Sequence, residues 1–353
     1  MMKSTTLLTV VCKLGVSKDL TIPIRWTRRM ASVRISTVGW ISKYDIDSST
    51  KLALATEIYE LFCIKHLNRW ITAPNLYTTD IFHLSQRVKN HLINLFPKSL
   101  VSDLQQFKNM SDPQMLLIKN LPFIGSEAFP MAECFLLGVS ALMSMKPFTY
   151  KNEHQGRLFH HIAPNPKYEY SQTALSSRAE LELHTENAFD PNRPVNMGLY
   201  CLIGDPGAKT TFYSVSKLQS KMNLDLKERL IFIGKKHEFI FEHPESHSSG
   251  RSDYGALFFD MTNGQLGTRF CAAFAKGQTE RAQKLKLEIR NFLLSENNHP
   301  NGYYLEAGDL ILWSNYTVLH GRSTYAPNYR PNMQRFLIRM YLTNDQSLPY
   351  LRN

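Results

Sequence analysis

The chain has 353 residues, of which 43% are hydrophobic and 20% are charged, the composition of an ordinary globular protein. No apolar run approaches the roughly 18–20 residues that a membrane-spanning helix needs, so we expect no membrane partner. The formal net charge is +11, but the seven basic residues within 1–40, set against Asp19 alone, supply +6 of it. A basic tail on a mildly basic body lacks the clustered stripe of a nucleic-acid-binding surface, which argues against a nucleic-acid partner.

Residues 1–34 read as a basic, disordered extension that precedes a single domain over 35–353. The apolar stretch TTLLTVVC is short, is interrupted by Lys13, and lacks the small-residue cleavage site of a secretory signal. An organelle transit peptide and an upstream start, with Met30 as the true initiator, remain the alternatives for this segment. The five cysteines are odd in number and contain no C-x-x-C pair, so we expect neither a disulfide framework nor a zinc site. A reducing cytoplasm fits this pattern.

Helical periodicity dominates the first part of the domain, about residues 35–150. The segment 48–70 has helical spacing, with Ser48 or Ser49 available as an N-cap. The mostly apolar segment 132–145 predicts a buried helix, and LLIKNLPF at 116–123 predicts a strand.

From about 151 to 345 the pattern changes to short strands and turns, among them RLFHHIAP, LELHTE, MGLYCLIG, TTFYSV, LIFIG, EFIFEHP, GALFFD, LILW and QRFLIRMYLT. Helical segments interrupt this pattern at 215–229 and 276–295. Many short strands with two inserted helices predict a mainly β fold with flanking helices (α+β), either a β-sandwich or a jelly roll capped by helices, and not a parallel doubly wound sheet.

The stretch LELHTENAFDP places His184 and Glu186 two residues apart, so on a strand both side chains project to the same side. An imidazole and a carboxylate together supply two of the three ligands of a ferrous-iron site. Roughly one such His-x-acid pair is expected by chance in this composition, so the pair alone is weak evidence. A second pair, His243 and Glu245, lies in a Ser/Gly-rich loop that lacks the rigid support a metal site needs, and we set it aside.

His320 is the candidate third ligand, because it follows the strand-like LILW in EAGDLILWSNYTVLHGRS and is far from Glu186 in sequence. Three protein ligands on one face leave three iron positions for a bidentate cosubstrate and O₂. Arg335 and Arg339 follow in QRFLIRMYL, where a spacing of four on one strand gives them the same face. A guanidinium binds a carboxylate through two parallel hydrogen bonds, so one of these arginines suits the distal carboxylate of a 2-oxo diacid.

The ordered segments ELHTENAFDPNRPVNMGLYCLIG, AKTTFYSV, LEAGDLILWSN, VLHGRSTYAPNY and QRFLIRMYL resemble the clavaminate synthase-like branch of the iron(II)/2-oxoglutarate-dependent oxygenases, in the taurine dioxygenase superfamily. Within that branch they are most similar to asparagine and arginine β-hydroxylases. The resemblance implies a double-stranded β-helix of the jelly-roll, cupin-like type. It also implies hydroxylation of an unactivated carbon with Fe(II), 2-oxoglutarate and O₂ and with release of succinate and CO₂. It assigns the metal to His184, Glu186 and His320. It assigns 2-oxoglutarate to Arg335, supported by Arg339, and to Thr210 or Thr211.

The resemblance also implies a free polar amino acid as substrate, of the asparagine, arginine or lysine type. The substrate candidates are Gln155, Glu186 and Asp260. Because a carboxylate accepts hydrogen bonds from an amide, an ammonium or a guanidinium, Asp260 does not separate these substrates. With Glu186 as a ligand, no iron position is left for a halide, so we expect hydroxylation or desaturation and not halogenation.

Several structural interpretations and alternative functions remain open. Neighbouring strand residues face opposite ways, so the adjacent pair His160 and His161 is interpreted as structural. Strict alternation would place Glu180 and Glu182 on the ligand face, which predicts a bulge before His184 or solvent at that end. The alternative functions are the same chemistry on a non-amino-acid or carrier-tethered substrate, and a non-enzymatic cupin-type binding protein.

Overall fold

The structure is a computed structural model that describes residues 34–38, 40–63, 78–109, 112–242, 253–295 and 300–352. Within these ranges the α-helices are α1 Ser48–Cys63, α2 Thr78–Leu95, α3 Lys98–Gln106, α4 Phe129–Leu142, α5 Val215–Lys221, α6 Leu224–Arg229 and α7 Glu280–Leu294. None of the helices in the described ranges combines the length and apolarity that crossing a membrane requires. The predicted extension over 1–34 lies outside the described residues except for its last position.

The strands of the described residues form four sheets. Their bounds are β1 Arg34–Val38, β2 Ile41–Asp45, β3 Met115–Lys119, β4 Lys146–Tyr150, β5 Phe159–Ile162, β6 Leu181–His184, β7 Asn196–Ile203, β8 Lys209–Ser214, β9 Phe239–Phe241, β10 Asp253–Gly255, β11 Phe258–Asp260, β12 Leu266–Thr268, β13 Ala275–Gly277, β14 Asn301–Tyr304, β15 Leu310–Ser314, β16 Val318–Arg322, β17 Phe336–Thr343 and β18 Leu351–Arg352. The largest sheet has the order β1-β2-β3-β15-β7-β17-β4-β18, with β5 also paired to β17. A second, four-stranded sheet has the order β14-β8-β16-β6.

The large sheet buries both of its faces, and successive residues of each strand alternate between them. In β15, Leu310 and Leu312 pack with helices α1 to α4, whereas Ile311 and Trp313 point to the opposite face. This burial explains why the strands read as nearly continuous apolar runs.

The four-stranded sheet covers the inner face of the large sheet, and an apolar core lies between them. Phe212 of β8 packs edge-on against Trp313 of β15, with ring centroids 5.3 Å apart. Val318 of β16 joins the same cluster. A site on the inner face of either sheet is therefore supported on both sides by packed strands.

The segment between β8 and β14 builds a separate apolar cluster with the short strands β9 and β13. Helix α7 closes this cluster with Leu285 and Ile289. The helix begins after Thr279, whose hydroxyl accepts a hydrogen bond from the Ala282 backbone N–H. It packs on β13, which immediately precedes it.

The mixed, sheet-rich composition agrees with the sequence analysis, and the two inserted helical segments are present at 215–229 and 280–294. The prediction for one element was wrong. LIFIG, expected as a strand, is a π-helical turn over Leu230–Gly234 that continues α6. A five-residue apolar run does not distinguish a buried strand from a buried helical turn, so the preceding helix decides its conformation.

Candidate active site

Strands β6 and β16 bring three side chains together at one end of the space between the sheets. His184 ends β6 and lies directly opposite His320 of β16 in the antiparallel register. Glu186 follows two residues after His184, and one ligand atom from each of the three side chains lies within 4.8 Å of the others. The structure therefore assembles the three residues that the sequence pattern selected.

A β-bulge in β6 sets the direction of the His184 side chain. The register passes from His320 opposite His184 to Arg322 opposite Leu181, so β6 carries one extra residue at this point. The predicted bulge is confirmed. Glu182 binds Arg290 through two hydrogen bonds of 2.8 and 2.5 Å, so its charge at the cavity wall is compensated.

Both imidazoles point Nε2 towards the same carboxylate oxygen. The Nδ1 atom of His184 lies 2.8 Å from the Glu182 carbonyl, which only accepts, so Nδ1 carries the proton and Nε2 keeps its lone pair. Nε2 of His184 and Nε2 of His320 lie 3.6 and 3.2 Å from Oε2 of Glu186. Burial and the neighbouring His184 lower the pKa of His320 to about 4, so this ring is neutral at physiological pH.

The other carboxylate oxygen of Glu186 is held by two donors. Arg339 Nη1 and the Tyr341 hydroxyl each donate to Oε1 at 2.6 Å. Burial alone would raise the pKa of Glu186, but the Arg339 guanidinium and, after it, the two adjacent imidazoles lower it well below the usual range. The backbone is fixed as well, because the Glu186 N–H donates to the Asn315 side chain at 2.9 Å.

These donors fit a ferrous ion. Two imidazoles and one carboxylate converge on one face, which is the donor set of non-haem iron oxygenases. The hydrogen bonds on His184 Nδ1 and on Glu186 Oε1 leave His184 Nε2 and Glu186 Oε2 directed at the common point. Such outer contacts fix the orientation of metal ligands.

Arg335 lies in the same cavity and is 95% buried, since its relative exposure is 5%. Its Nη2 donates to the Thr210 hydroxyl at 3.3 Å. The side chain of Thr210 lines the cavity, whereas Thr211, the next residue of β8, is not among the described residues that do. Alternation along the strand turns Thr211 to the opposite face. The geometry therefore favours Thr210 of the two predicted threonines.

Arg339 of β17 lines the same cavity as Arg335, which immediately precedes that strand, but its contacts are of another kind. Besides Glu186, it donates to Nδ1 of the buried His160 at 2.9 Å. His160 Nε2 in turn lies 2.9 Å from the Thr149 hydroxyl. Among the described residues, Arg339 therefore forms hydrogen bonds that orient the Glu186 carboxylate, and it shares none with Arg335.

The cavity that holds these groups has a volume of about 900 Å³. Gln155 lines it, from a turn in which His154, Gln155 and Gly156 all have positive φ. Asp260 does not reach it, and this assignment requires correction. Asp260 is exposed on β11 and forms an ion pair with Lys235 at 2.5 Å. The set-aside pair His243 and Glu245 lies outside the described residues.

Sequence reasoning missed part of this site. Glu153 accepts a hydrogen bond from Asn187 at 2.9 Å, and its other oxygen lies 3.0 Å from the Tyr341 hydroxyl. His160, interpreted as structural, is one contact away from the metal carboxylate through Arg339. Tyr341 could have been found, because it lies two residues after Arg339 and therefore on the same strand face.

Comparisons with known proteins agree with this geometry. The model of the taurine catabolism dioxygenase TauD, TfdA family matches residues 96–341. The L-lysine 3-hydroxylase of Catenulispora acidiphila is 27% identical over 332 residues, which cover 86% of this chain and 87% of that protein. An asparagine oxygenase solved with Fe(II), 2S,3S-3-hydroxyasparagine and succinate superposes with a TM-score of 0.71 at 21% identity, over 88% of this chain and 98% of that chain.

The non-haem iron oxygenase OrfP, solved with Fe and alpha-ketoglutaric acid, superposes with a TM-score of 0.70 at 20% identity, over 86% of this chain and 94% of that chain. At these identities the two solved structures establish a common fold. The family match covers more than half of the chain, and the resemblance seen in the sequence is confirmed. The chain belongs to the taurine catabolism dioxygenase TauD, TfdA family and is an iron(II)- and 2-oxoglutarate-dependent hydroxylase.

Proposed function

We propose that this chain hydroxylates an unactivated carbon of a free polar L-amino acid and releases succinate and CO₂. The observation that carries the proposal is the convergence of His184, Glu186, His320 and Arg335 on one cavity. The names of the relatives support an amino-acid substrate, because they include hydroxylases of lysine and enduracididine and an oxygenase of asparagine. Side chains of the asparagine, arginine and lysine types are the starting candidates.

The fold assignment completes this proposal. We infer that the two facing antiparallel sheets are the halves of a double-stranded β-helix, with helices α1 to α4 covering the outer face of the large sheet. The domain would span 35–353, with 1–34 as an extension. A cytoplasmic location is supported by the buried free thiols of Cys134, Cys201 and Cys271.

The residues of the site have separate roles. His184, Glu186 and His320 would hold the ion, and Arg335 with Thr210 would bind the distal carboxylate of 2-oxoglutarate through charge-assisted hydrogen bonds. Bound iron and 2-oxoglutarate supply the oxidising chemistry. The packed strands exclude bulk water and hold the substrate carbon near the metal face, which is the contribution of the protein.

A spectroscopic experiment tests the proposal. The purified protein is loaded anaerobically with Fe(II) and 2-oxoglutarate, and the weak visible metal-to-ligand charge-transfer band is recorded. We expect the band in the wild type, and we expect Arg335→Ala to need about 10- to 100-fold more 2-oxoglutarate to develop it. Arg330→Ala, at an exposed position five residues earlier, is the matched control. Succinate release in air is then measured with a panel of L-amino acids.

Two results would contradict the proposal. A wild-type protein that binds Fe(II) and 2-oxoglutarate without the band would disprove the metal and cosubstrate assignment. A normal band with no succinate release for any amino acid would leave the cofactor site intact and disprove the substrate class.

A further inference from the structure

Helix α7 and the segment 271–274 form one part of the cavity wall. Lys286 lies on this wall, on the face of α7 that also carries Ala282, Leu285, Ile289 and Leu293. These positions are normally apolar, because they face the cluster on which the helix packs. Lys286 is only 8% exposed and lines the cavity that contains the metal site.

The other cationic side chains of the cavity have partners within the protein. Arg290 is bound to Glu182, and Arg339 to Glu186. Arg322 donates to the Ser176 hydroxyl and to backbone carbonyls.

Arg335 is assigned to 2-oxoglutarate. Among the described cationic side chains of the cavity, Lys286 is then the one without an assigned partner. In the part of the chain that the structure describes, its ammonium has neither a hydrogen bond nor an ion pair. Burial, and then the charge of Arg290, lower its pKa.

The described carboxylates of the cavity differ from Lys286, because each of them has a partner within the protein or belongs to the metal site. Glu182 is bound by Arg290 through both oxygens, and Glu186 belongs to the metal site. Glu153 accepts a hydrogen bond from Asn187 and forms an ion pair with Arg339 at 3.5 Å. Each described carboxylate on the wall is therefore already engaged, and Asp260, the predicted acceptor, lies elsewhere. A substrate ammonium or guanidinium side chain finds no available acid here, whereas an anionic side chain finds Lys286.

We infer that Lys286 binds the side-chain carboxylate of the substrate, so that the substrate is an acidic L-amino acid of the aspartate or glutamate type. This inference rests on the proposed function and narrows it against lysine and arginine. Its physical basis is that a buried ammonium without an anion is costly, and a carboxylate supplies both the opposite charge and the acceptors. The amide oxygen of asparagine or glutamine satisfies only the hydrogen bonds and binds more weakly.

A structural role for Lys286 makes a different prediction. Lysine can lay its methylene stem along apolar surface and keep its amine in water, without any ligand. Replacing it by methionine would then leave ligand binding unchanged. In a ligand-binding role, the same replacement removes an uncompensated charge from the unliganded protein, and function is lost while stability is kept or gained.

The experiment measures binding and turnover in parallel. Calorimetric titrations of the anaerobic protein loaded with Fe(II) and 2-oxoglutarate use L-aspartate, L-glutamate, L-asparagine, L-glutamine, L-lysine and L-arginine. The variants are Lys286→Met and Lys286→Glu. Lys284→Met is the matched control, because Lys284 is exposed on the same helix. The charge-transfer band of each variant reports the iron and 2-oxoglutarate site independently of the substrate.

We expect an acidic amino acid to bind the wild type best. Lys286→Met should weaken that binding about 10- to 100-fold and leave the band unchanged. Lys286→Glu should reverse the preference towards a basic amino acid. Thermal unfolding of unliganded Lys286→Met should occur at or above the wild-type temperature, which separates lost binding from lost folding.

Other results would overturn the inference. Tight binding of L-lysine or L-arginine to the wild type would disprove it and leave the proposed function standing. Equal weakening of all amino acids by Lys286→Met would assign the ammonium to the α-carboxylate, also against the inference. A dicarboxylate without an α-amino group that is hydroxylated in a Lys286-dependent manner would overturn the inference that the substrate is an amino acid, and the proposed function with it, while leaving Lys286 as a carboxylate-binding residue. Failure of the entire panel, with a normal band, would count against both.

Discussion

The two walls of the cavity hold charge in different ways. On the strand wall, formed by β6, β16 and β17, the charged groups bind one another: Glu186 receives two donors on one oxygen and faces two imidazoles with the other. On the helix wall, α7 presents Lys286 without a partner among the described residues. The donors that orient Glu186 are therefore in place without any ligand, whereas Lys286 would gain an anionic partner only from a bound ligand.

The difference follows from what each wall must do. Ligands of a metal need fixed orientation, which packed strands and outer hydrogen bonds provide. Substrate recognition within one reaction class varies from enzyme to enzyme, and the inserted segment that carries α7 can change without disturbing the sheets. Substitutions on the strand wall should therefore affect iron binding, and those on the helix wall only the choice of substrate.

The largest effect is expected from removing a ligand. Either Glu186→Ala or His320→Ala should reduce amino-acid-dependent succinate release to background, because two remaining side chains do not hold the ion in the required geometry. The charge-transfer band should disappear in the same samples. His83→Ala, at an exposed position of α2, controls for the loss of an imidazole. Near-wild-type turnover in either ligand variant would rule out the assigned triad.

A smaller effect on the same wall is expected for Tyr341→Phe. The change removes one of the two donors to Glu186 Oε1 and keeps the ring in the core. Loss of such an outer contact typically costs 10- to 100-fold in metal affinity or activity, so we expect about that loss in a competitive Fe(II) titration.

Tyr213→Phe is the matched control for this prediction. Tyr213 is equally buried, and its hydroxyl has no hydrogen-bond partner in the described structure. Removal of this hydroxyl should leave iron affinity unchanged. Equal Fe(II) affinities for Tyr341→Phe and the wild type would show that Arg339 alone suffices to orient the carboxylate.

The strand wall was largely predictable from sequence, and the helix wall was not. His184 ends β6 and Glu186 lies two residues later, in the turn after the strand, so the spacing identified the pair although only His184 is on the strand. His320 and Arg335 became identifiable through the order of motifs around them. These signals are local, and the sheet register carries them into the site.

Asp260 and Lys286 show why the helix wall resisted prediction. Asp260 lies in a strand and turn pattern that resembles the family, but packing of the inserted segment leaves it exposed beside Lys235. Lys286 interrupts the apolar face of α7, a visible signal, yet only the three-dimensional arrangement shows that this face borders the metal cavity. Long-range packing, which no local pattern encodes, decides both positions.

The smallest effect is expected at the contact that joins the two walls. Arg290 of α7 binds Glu182 of β6, but the two side chains are 38% and 25% exposed, so solvent screens the pair. Such pairs contribute about 0.2–1 kcal/mol, and Arg290→Met should lower the free energy of unfolding by no more than that in urea titrations. Iron affinity should not change, because the bulge that aims His184 is held by the strand register and not by this pair.

The matched control for Arg290→Met is Arg281→Met. Arg281 lies on the same helix as Arg290, and its replacement removes an ion pair with Glu238. Its stability loss should be similar, since Arg281 is also exposed to solvent. Only Arg290→Met should change substrate preference, because it frees Glu182 at the cavity wall and removes a positive charge close to Lys286. A loss of iron affinity in Arg290→Met would show that the helix wall helps to build the metal site and that the two walls are not independent. Unchanged iron affinity with an altered amino-acid preference would assign the metal site to the strands and substrate choice to the helix.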